Sequence, residues 1–379
     1  MGARYGDRTF GEDGGDLMRS NVLAIENVTK RYNAGVSIVG RAGRPSVAAV
    51  EEVSLEIGER QMVGLVGESG SGKSTLASLI VRLDRPSVGT VRLAGEDIWK
   101  LRGKRLRTFR RDVQMVFQDP YATLNPRFTV RQTLAETLAA HGLRRRDVVQ
   151  ELSERALERA ELRPAKAFLS AHPSQLSGGQ RQRVAIARAI VLEPKLLVAD
   201  EPVSMLDVSV RSGILNLFER LGDELGLSML FISHDLSTVS HLCDRVAVMY
   251  RGRIVEEGPV ASVLTAPFHP YTKALLDAVP PPEPGAWARD GSLGDELQEA
   301  QGVNVSRIVG CRYVDRCPRR SEVCYAAEPD DRELGPQHKT RCYHPIAPGG
   351  VSVLNGGAAA SAPKAYESRG GANKDREAS

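Results

Sequence analysis

No run of about eighteen apolar residues occurs in this 379-residue sequence, so the chain is not expected to cross a membrane by itself. Its first twenty residues lack an apolar core and carry Arg, Asp, Glu and Gly instead. That argues against a secretory signal and for a cytosolic location. A large excess of charge is also missing, because a net +4 is too mild to argue for a nucleic-acid partner. The basic runs at 102–111 and 144–146 read as solvated helix faces. Cysteine is scarce and uneven: Cys243 stands alone, whereas Cys311, Cys317, Cys324 and Cys342 sit together. In a reducing compartment such a group suits a metal better than disulfides. The remaining composition, 41% hydrophobic and 26% charged, is ordinary for a globular chain long enough for one large domain and an appendage.

One stretch organises the rest. Gly67-Glu68-Ser69-Gly70-Ser71-Gly72-Lys73-Ser74-Thr75 fits the phosphate-loop pattern G-x-x-x-x-G-K-[ST] at every defined position. The apolar run 61–66 before it reads as a buried strand, and 76–81 after it as a helix. In that setting the glycines let successive N–H groups turn inward on an anion, and the helix N-terminus adds partial positive charge. Lys73 would reach the outer phosphates and the Ser74 hydroxyl would ligate Mg²⁺. A glycine-rich turn that binds nothing would not need Lys-Ser after its last glycine.

Around that loop the chain alternates strands and helices. Strands are expected at 22–28, 50–57, 88–93, 113–118, 196–199, 228–232 and 245–250, and helical patterns at 129–168, 181–192 and 214–225. The order implies a mainly parallel sheet covered by helices, with its chemistry at the carboxyl ends of the strands. Residues 1–20 and those beyond Pro348 have the composition of disordered tails, and 33–46 that of a surface loop. The proline-rich run from Pro280 reads as a stiff linker spanning 279–305, which separates a domain at 21–278 from a small cysteine-bearing module at 306–348.

Asp200 and Glu201 follow four apolar residues at a strand end. The first is placed to organise Mg²⁺ and the second to act as general base on water. Neighbouring strand residues point to opposite faces, which would separate their tasks. Taken alone, the pair is equally well read as a solvated strand edge. Leu176-Ser177-Gly178-Gly179-Gln180 opens a helix with a hydroxyl and several N–H groups directed at an anion, or else is a plain N-cap with flexible glycines.

Taken in order, these residues resemble the nucleotide-binding subunit of an ATP-binding cassette (ABC) transporter over roughly 21–278. The matches are the Walker A loop at 67–75, the Q-loop Gln118, the signature 176–180 and the Walker B acids Asp200 and Glu201. A D-loop ending in Asp207 and the switch His234 complete the set. The resemblance implies a P-loop NTPase cassette with a mainly parallel core sheet, an antiparallel β subdomain and a helical subdomain. It also implies a head-to-tail dimer, in which Ser177, Gly178, Gly179 and Gln180 act on the ATP held by the partner. Gln118 would help ligate Mg²⁺ with Ser74 and Asp200 and link the site to the membrane subunits, His234 would contact the γ-phosphate, and Tyr32 would stack on adenine.

Segments 117–127, 200–204 and 269–276 resemble the dipeptide/oligopeptide importer branch, in its second-ATPase type. That implies a paralogous ATPase partner, two membrane permeases and, indirectly, a solute-binding protein, at the cytoplasmic face of the membrane. Oligosaccharide or nickel cargo is the alternative within the branch. A soluble ABC ATPase working on DNA or ribosomes is disfavoured: only 104 residues separate Lys73 from Ser177, with no heptad run between them, and there is one cassette.

The cysteine spacing, x5, x6 and x17, matches neither a zinc finger nor a ferredoxin run, and leaves zinc and iron–sulfur open. Buried thiols packing a mini-core are the alternative. The branch resemblance implies a 4Fe-4S cluster at Cys311, Cys317, Cys324 and Cys342, in a module too short to bury much apolar surface.

Overall fold

A computed structural model of the chain describes residues 21–32, 47–278 and 309–346. The expected tails, the loop at 33–46 and the linker at 279–305 lie outside the described residues. In chain order the strands are β1 (Asn21–Tyr32), β2 (Val47–Gly58), β3 (Met62–Val66), β4 (Val88–Leu93), β5 (Glu96–Asp97) and β6 (Val113–Val116). They continue with β7 (Leu196–Asp200), β8 (Ser228–Ser233), β9 (Arg245–Tyr250), β10 (Arg253–Pro259), β11 (Arg332–Gly335) and β12 (His338–Thr340). Helices α1 (Lys73–Ile80), α2 (Gly103–Asp112), α3 (Pro120–Thr123), α4 (Val130–Ala140), α5 (Arg146–Arg159) and α6 (Ala165–Leu169) fall in the first half. Then come α7 (Gly178–Ile190), α8 (Val208–Leu225), α9 (Leu236–Leu242), α10 (Val260–Thr265), α11 (Pro270–Asp277) and α12 (Glu322–Ala326).

Two sheets form among the described residues. The smaller, in the order β2-β1-β4-β5, is antiparallel throughout. The larger runs β11-β12-β10-β9-β3-β8-β7-β6. Its strands β9, β3, β8, β7 and β6 are mutually parallel, and the β10, β12 and β11 edge is antiparallel. Strands β3, β7 and β8 are buried along their whole length, which is why they read as unbroken apolar runs rather than alternating ones. One face of the large sheet packs against α7, α8 and α9 through Ile186, Phe218, Phe231 and Val239. The other face meets α1 and the small sheet through Leu65, Leu76, Ile80 and Ile25.

A third cluster, from Leu124 through Leu134, Leu157 and Leu176 to Val191, holds α4–α7 together as a helical unit. The helical pattern expected across 129–168 resolves into three helices. Thr129 and Gln132 cap the first reciprocally, and α5 opens at Arg146 after a loop.

The C-terminal segment is built into the large sheet. Glu256 of β10 faces Thr340 of β12 across the ladder. The Glu256 carboxylate, 1% exposed, accepts the backbone N–H groups of Phe268 (2.7 Å) and His269 (2.8 Å) and lies 2.8 Å from His338 Nε2. His269 in turn accepts the Tyr271 N–H on Nδ1 at 3.0 Å. One buried carboxylate therefore ties β10, the start of α11 and β12 into a single unit.

Burial lowers the His269 imidazole from an ordinary 6.5 to about 4, with the Glu256 charge opposing the shift only in part. The unfolded chain therefore binds this proton more tightly than the folded one. The stability His269 supplies is complete above pH 6.5 and drains, to about 3 kcal/mol in all, as pH falls toward 4. Urea melts at pH 7 and pH 5 should cost the native chain about 2 kcal/mol more than His269→Gln over that interval. Equal losses would contradict the assignment.

Candidate functional site

The site is built where β3 ends. After Val66 the chain curls through 67–72 before α1 begins at Lys73. The curl leaves no room for a side chain at its first and last glycines: a Cβ on Gly67 would overlap the Met249 carbonyl oxygen, and one on Gly72, at φ 105°, that of Ala49. Three further bonds fix the loop. Ser71 N–H donates to Glu68 O at 3.2 Å, Gly252 N–H to Ser71 O at 2.8 Å, and Glu68 N–H to the Tyr271 hydroxyl at 2.9 Å. Lys73 is 5% exposed, and its ammonium turns back on the carbonyls of Gly67 and Glu68, both at 2.8 Å, and on Ser71 Oγ at 3.4 Å. Burial lowers its proton affinity, while Glu201, Asp200 and Glu68 oppose that shift.

A cleft of about 390 Å³ opens beside this loop, lined by Ala49, Ser69, Gly70, Gly72, Lys73, Ser74, Thr75, Gln118, Glu201 and His234. Ser74 Oγ lies 3.4 Å from Asp200 Oδ1. Asp200 is buried, and desolvation pushes its carboxyl above the usual carboxylate range against the opposing Ser74 hydrogen bond. Glu201 adopts φ 45°, a left-handed conformation uncommon for a residue with a Cβ. The expectation that the two acids diverge as strand neighbours is therefore corrected. The strand ends at Asp200, and the turn at Glu201 brings its carboxylate into the cleft that Ser74 lines. There Glu201 Oε2 accepts from Gln118 Nε2 at 3.1 Å and lies 3.3 Å from His234 Nδ1.

Other expected residues stand apart from the cleft. Ser177 caps α7, accepting the Gln180 N–H at 3.3 Å, and Gln180 returns the bond to the Ser177 N–H at 2.9 Å. This capping box leaves Gly178 and Gly179 in the first turn of α7, and none of residues 177–180 lines the cleft. Asp207 is the exposed N-cap of α8. Tyr32 is 44% exposed at the end of β1, paired with Val47. Its hydroxyl donates to Asp84 at 2.7 Å, and the Lys30 ammonium lies 4.9 Å from its ring centre.

Comparison with known proteins adds the decisive observation. The ABC transporter family model matches residues 50–204, and the oligopeptide/dipeptide transporter C-terminal region matches 255–324. The probable peptide ABC transporter ATP-binding protein y4tS of Sinorhizobium fredii is 42% identical over 344 residues, spanning 91% of this chain and 95% of that protein. The oligopeptide transport ATP-binding protein AppF of Bacillus subtilis is 41% identical over 329 residues, spanning 86% and 98%.

The chain belongs to the ABC transporter family of ATP-binding subunits.

Solved structures agree on the fold. A dimeric ATP-binding cassette in a post-hydrolysis state, bound to ADP and Pi, is 31% identical with a TM-score of 0.54, covering 63% of this chain and 98% of that one. The structure of cbiO1 from Clostridium perfringens, part of an ABC transporter complex, is 28% identical with a TM-score of 0.55, covering 64% and 90%.

This ABC ATPase carries site contacts that the sequence reading missed. Tyr271, noted there only as part of a branch motif, reaches the Walker A loop through its hydroxyl. Its ring packs at a tilt against Tyr250, with centres 4.5 Å apart, and against Tyr313 at 5.4 Å. Arg316, some 250 residues downstream, places Nη1 3.1–3.2 Å from both Glu68 carboxylate oxygens. Neither contact leaves a local signal, because each joins distant parts of the sequence.

The expected metal centre is the main correction. Among the described residues no three His, Cys, Asp or Glu side chains converge to hold a metal ion, so neither the 4Fe-4S cluster nor zinc at Cys311, Cys317, Cys324 and Cys342 is supported. Burial pushes the Cys311 thiol up to about 12 and the Cys342 thiol up to about 11, and raises Cys317 as well. Cys317 packs beside Tyr313 in the main core, with Cys311 against the same cluster. The need for a metal staple was inferred for a free-standing module. This segment instead gains its support from the β10–β12 ladder and from Arg312 paired with Glu51. Iodoacetamide at pH 8 should therefore alkylate Cys311 and Cys342 about 100-fold more slowly in the native chain than in urea. Peptide mapping that finds equal rates would contradict this picture.

Proposed function

We propose that this chain is the ATP-hydrolysing subunit that drives import of peptides through separate membrane permeases, working at the cytoplasmic face of the membrane. Support for the cargo class comes from the peptide and oligopeptide transport names of its relatives and the match to the oligopeptide/dipeptide C-terminal region. The observation that carries the chemistry is the meeting of Lys73, Ser74, Gln118, Glu201 and His234 in one cleft. In this reading 21–278 is the cassette and 306–348 an appended segment.

A buried ammonium whose partners are all neutral oxygens is suited to a polyanion, and Lys73 would turn from the carbonyls of Gly67 and Glu68 to the outer phosphates of ATP. The N–H groups of the curl from Ser69 to Thr75 would close around the same phosphates. Ser74 and the buried Asp200 present hard oxygens side by side, a donor pair that fits Mg²⁺, with Gln118 as the further ligand. When bound, that ion offsets charge on the transferred phosphoryl group. Glu201 would accept the proton of the attacking water. Gln118 and His234, both hydrogen-bonded to its carboxylate, hold it in orientation, and His234 would then meet the γ-phosphate.

The signature Ser177, Gly178, Gly179 and Gln180, lying away from this cleft, would act on ATP held by a second ATPase subunit, with Asp207 at the seam. The dimeric cassette bound to ADP and Pi among the structural relatives supports that arrangement. Peptide would be delivered to the permeases by an extracytoplasmic solute-binding protein.

Glu201→Gln in the assembled transporter should keep nucleotide binding and lose at least about 100-fold in ATP turnover, accumulating a closed, ATP-filled dimer. Turnover within a few-fold of native would remove Glu201 from its role. Tyr32→Ala should raise KM for ATP about tenfold at unchanged kcat if the ring stacks on adenine. An unchanged KM would mark Tyr32 as a strand-end residue serving Asp84 alone.

A further inference from the structure

We propose that the C-terminal segment 309–346 clamps the phosphate loop, and that Arg316 is a positioning residue that offsets the Glu68 carboxylate so that the loop accepts a triphosphate. The inference rests on the ATP-binding reading above and extends it to a segment with no assigned part in nucleotide binding.

Glu68 is a misfit in its setting. The loop gathers N–H groups and the Lys73 ammonium around an anion, yet its second residue carries a negative charge. The carboxylate is not free to leave, because its own backbone is pinned: Glu68 N–H donates to the buried Tyr271 hydroxyl and Glu68 O accepts from Lys73. Left unpaired, this charge would repel an incoming polyanion and would pull on Lys73, whose proton affinity already reflects it. Arg316 meets it from the C-terminal segment, with both carboxylate oxygens 3.1–3.2 Å from Nη1. The Arg316 side chain is 20% exposed and that of Glu68 29%, so water screens the pair only partly. The guanidinium is itself held, 5.9 Å from the Tyr313 ring centre.

A second grip reaches the same loop through backbone. Arg312 Nη1 donates to Arg251 O at 3.1 Å, and Arg251 Nη1 donates to Arg312 O at 3.4 Å. That turn delivers the Gly252 N–H to Ser71 O, and the Glu51 N–H closes on Gly252 O, both at 2.8 Å. The segment is anchored behind these contacts by the β10–β12 ladder, by His338 on Glu256 and by the Arg341 N–H on Val255 O at 2.8 Å. An ordinary surface ion pair adds little to stability. This pair differs in its readout, because the charge it offsets lies within a loop that must admit several negative charges at once.

The test is an equilibrium titration of the full-length chain with a fluorescent ATP analogue and Mg²⁺, in four forms: native, Arg316→Ala, Glu68→Gln and the double variant. Arg316→Ala should weaken binding about fivefold to tenfold at low salt, and the defect should shrink to about twofold in 0.5 M salt. On the Glu68→Gln background the same arginine substitution should change binding by less than about twofold, since the charge it offsets is gone. Arg316→Lys, which keeps the charge, should recover most of the affinity and covers the case of an alanine variant that fails to fold. An Arg316→Ala variant that binds as the native chain does, or a penalty equally large with and without the Glu68 charge, would overturn the proposal. Failure of the native chain itself to bind nucleotide would instead overturn the ATPase reading, and the clamp with it.

Discussion

A buried ammonium with no anionic partner of its own sets the terms for the rest of this molecule. Lys73 sits at the first turn of α1 and is held by the carbonyls of Gly67 and Glu68. Burial already disfavours its charged form, and the arrangement is tolerable because three oxygens of the loop hold the ammonium and Asp200 and Glu201 lie near enough to oppose the loss. A triphosphate would complete the cage by supplying the charge that the fold withholds. The tight passages at Gly67 against Met249 and Gly72 against Ala49 follow from the same need. Only a closely curled backbone can point its N–H groups and this side chain at one spot.

The parallel sheet does the placing. Strand β3 lies between β8 and β9, with β7 next along. The loop after β3 therefore emerges beside the ends of β7 and β8, where Glu201 and His234 begin their turns. The carboxyl ends of neighbouring parallel strands meet at one edge by construction, so residues separated by well over a hundred positions share a cleft. The left-handed turn at Glu201 adds the last adjustment by bringing a second carboxylate to the cleft beside Asp200.

Much of this was legible in the sequence because its determinants are local. The glycine and Lys-Ser spacing of the loop, the apolar runs of β3, β7 and β8, and the acids at a strand end each fit within a dozen residues. The signals that failed are those with no local form. Nothing beside Glu256 in the sequence marks it out, yet it is sealed inside and orders Phe268, His269 and His338 from two other segments. Arg316 reads as one basic residue among several near Cys317. The four cysteines misled for the same reason. Their clustering in sequence suggested a module standing alone, and the pairing of β12 with β10 that makes a metal staple unnecessary cannot be read from spacing.

In the proposed function turnover belongs to a seam, since none of the signature residues at the start of α7 lines the cleft that would hold ATP in the same chain. The most direct measurement is specific ATPase activity followed against the fraction of chain in dimers, formed with itself or with a paralogous ATPase subunit and quantified by light scattering on the same samples. The account predicts negligible turnover in the monomer fraction and activity that rises in step with the dimer. A monodisperse monomer that hydrolyses ATP at the full rate of the assembled protein would contradict it.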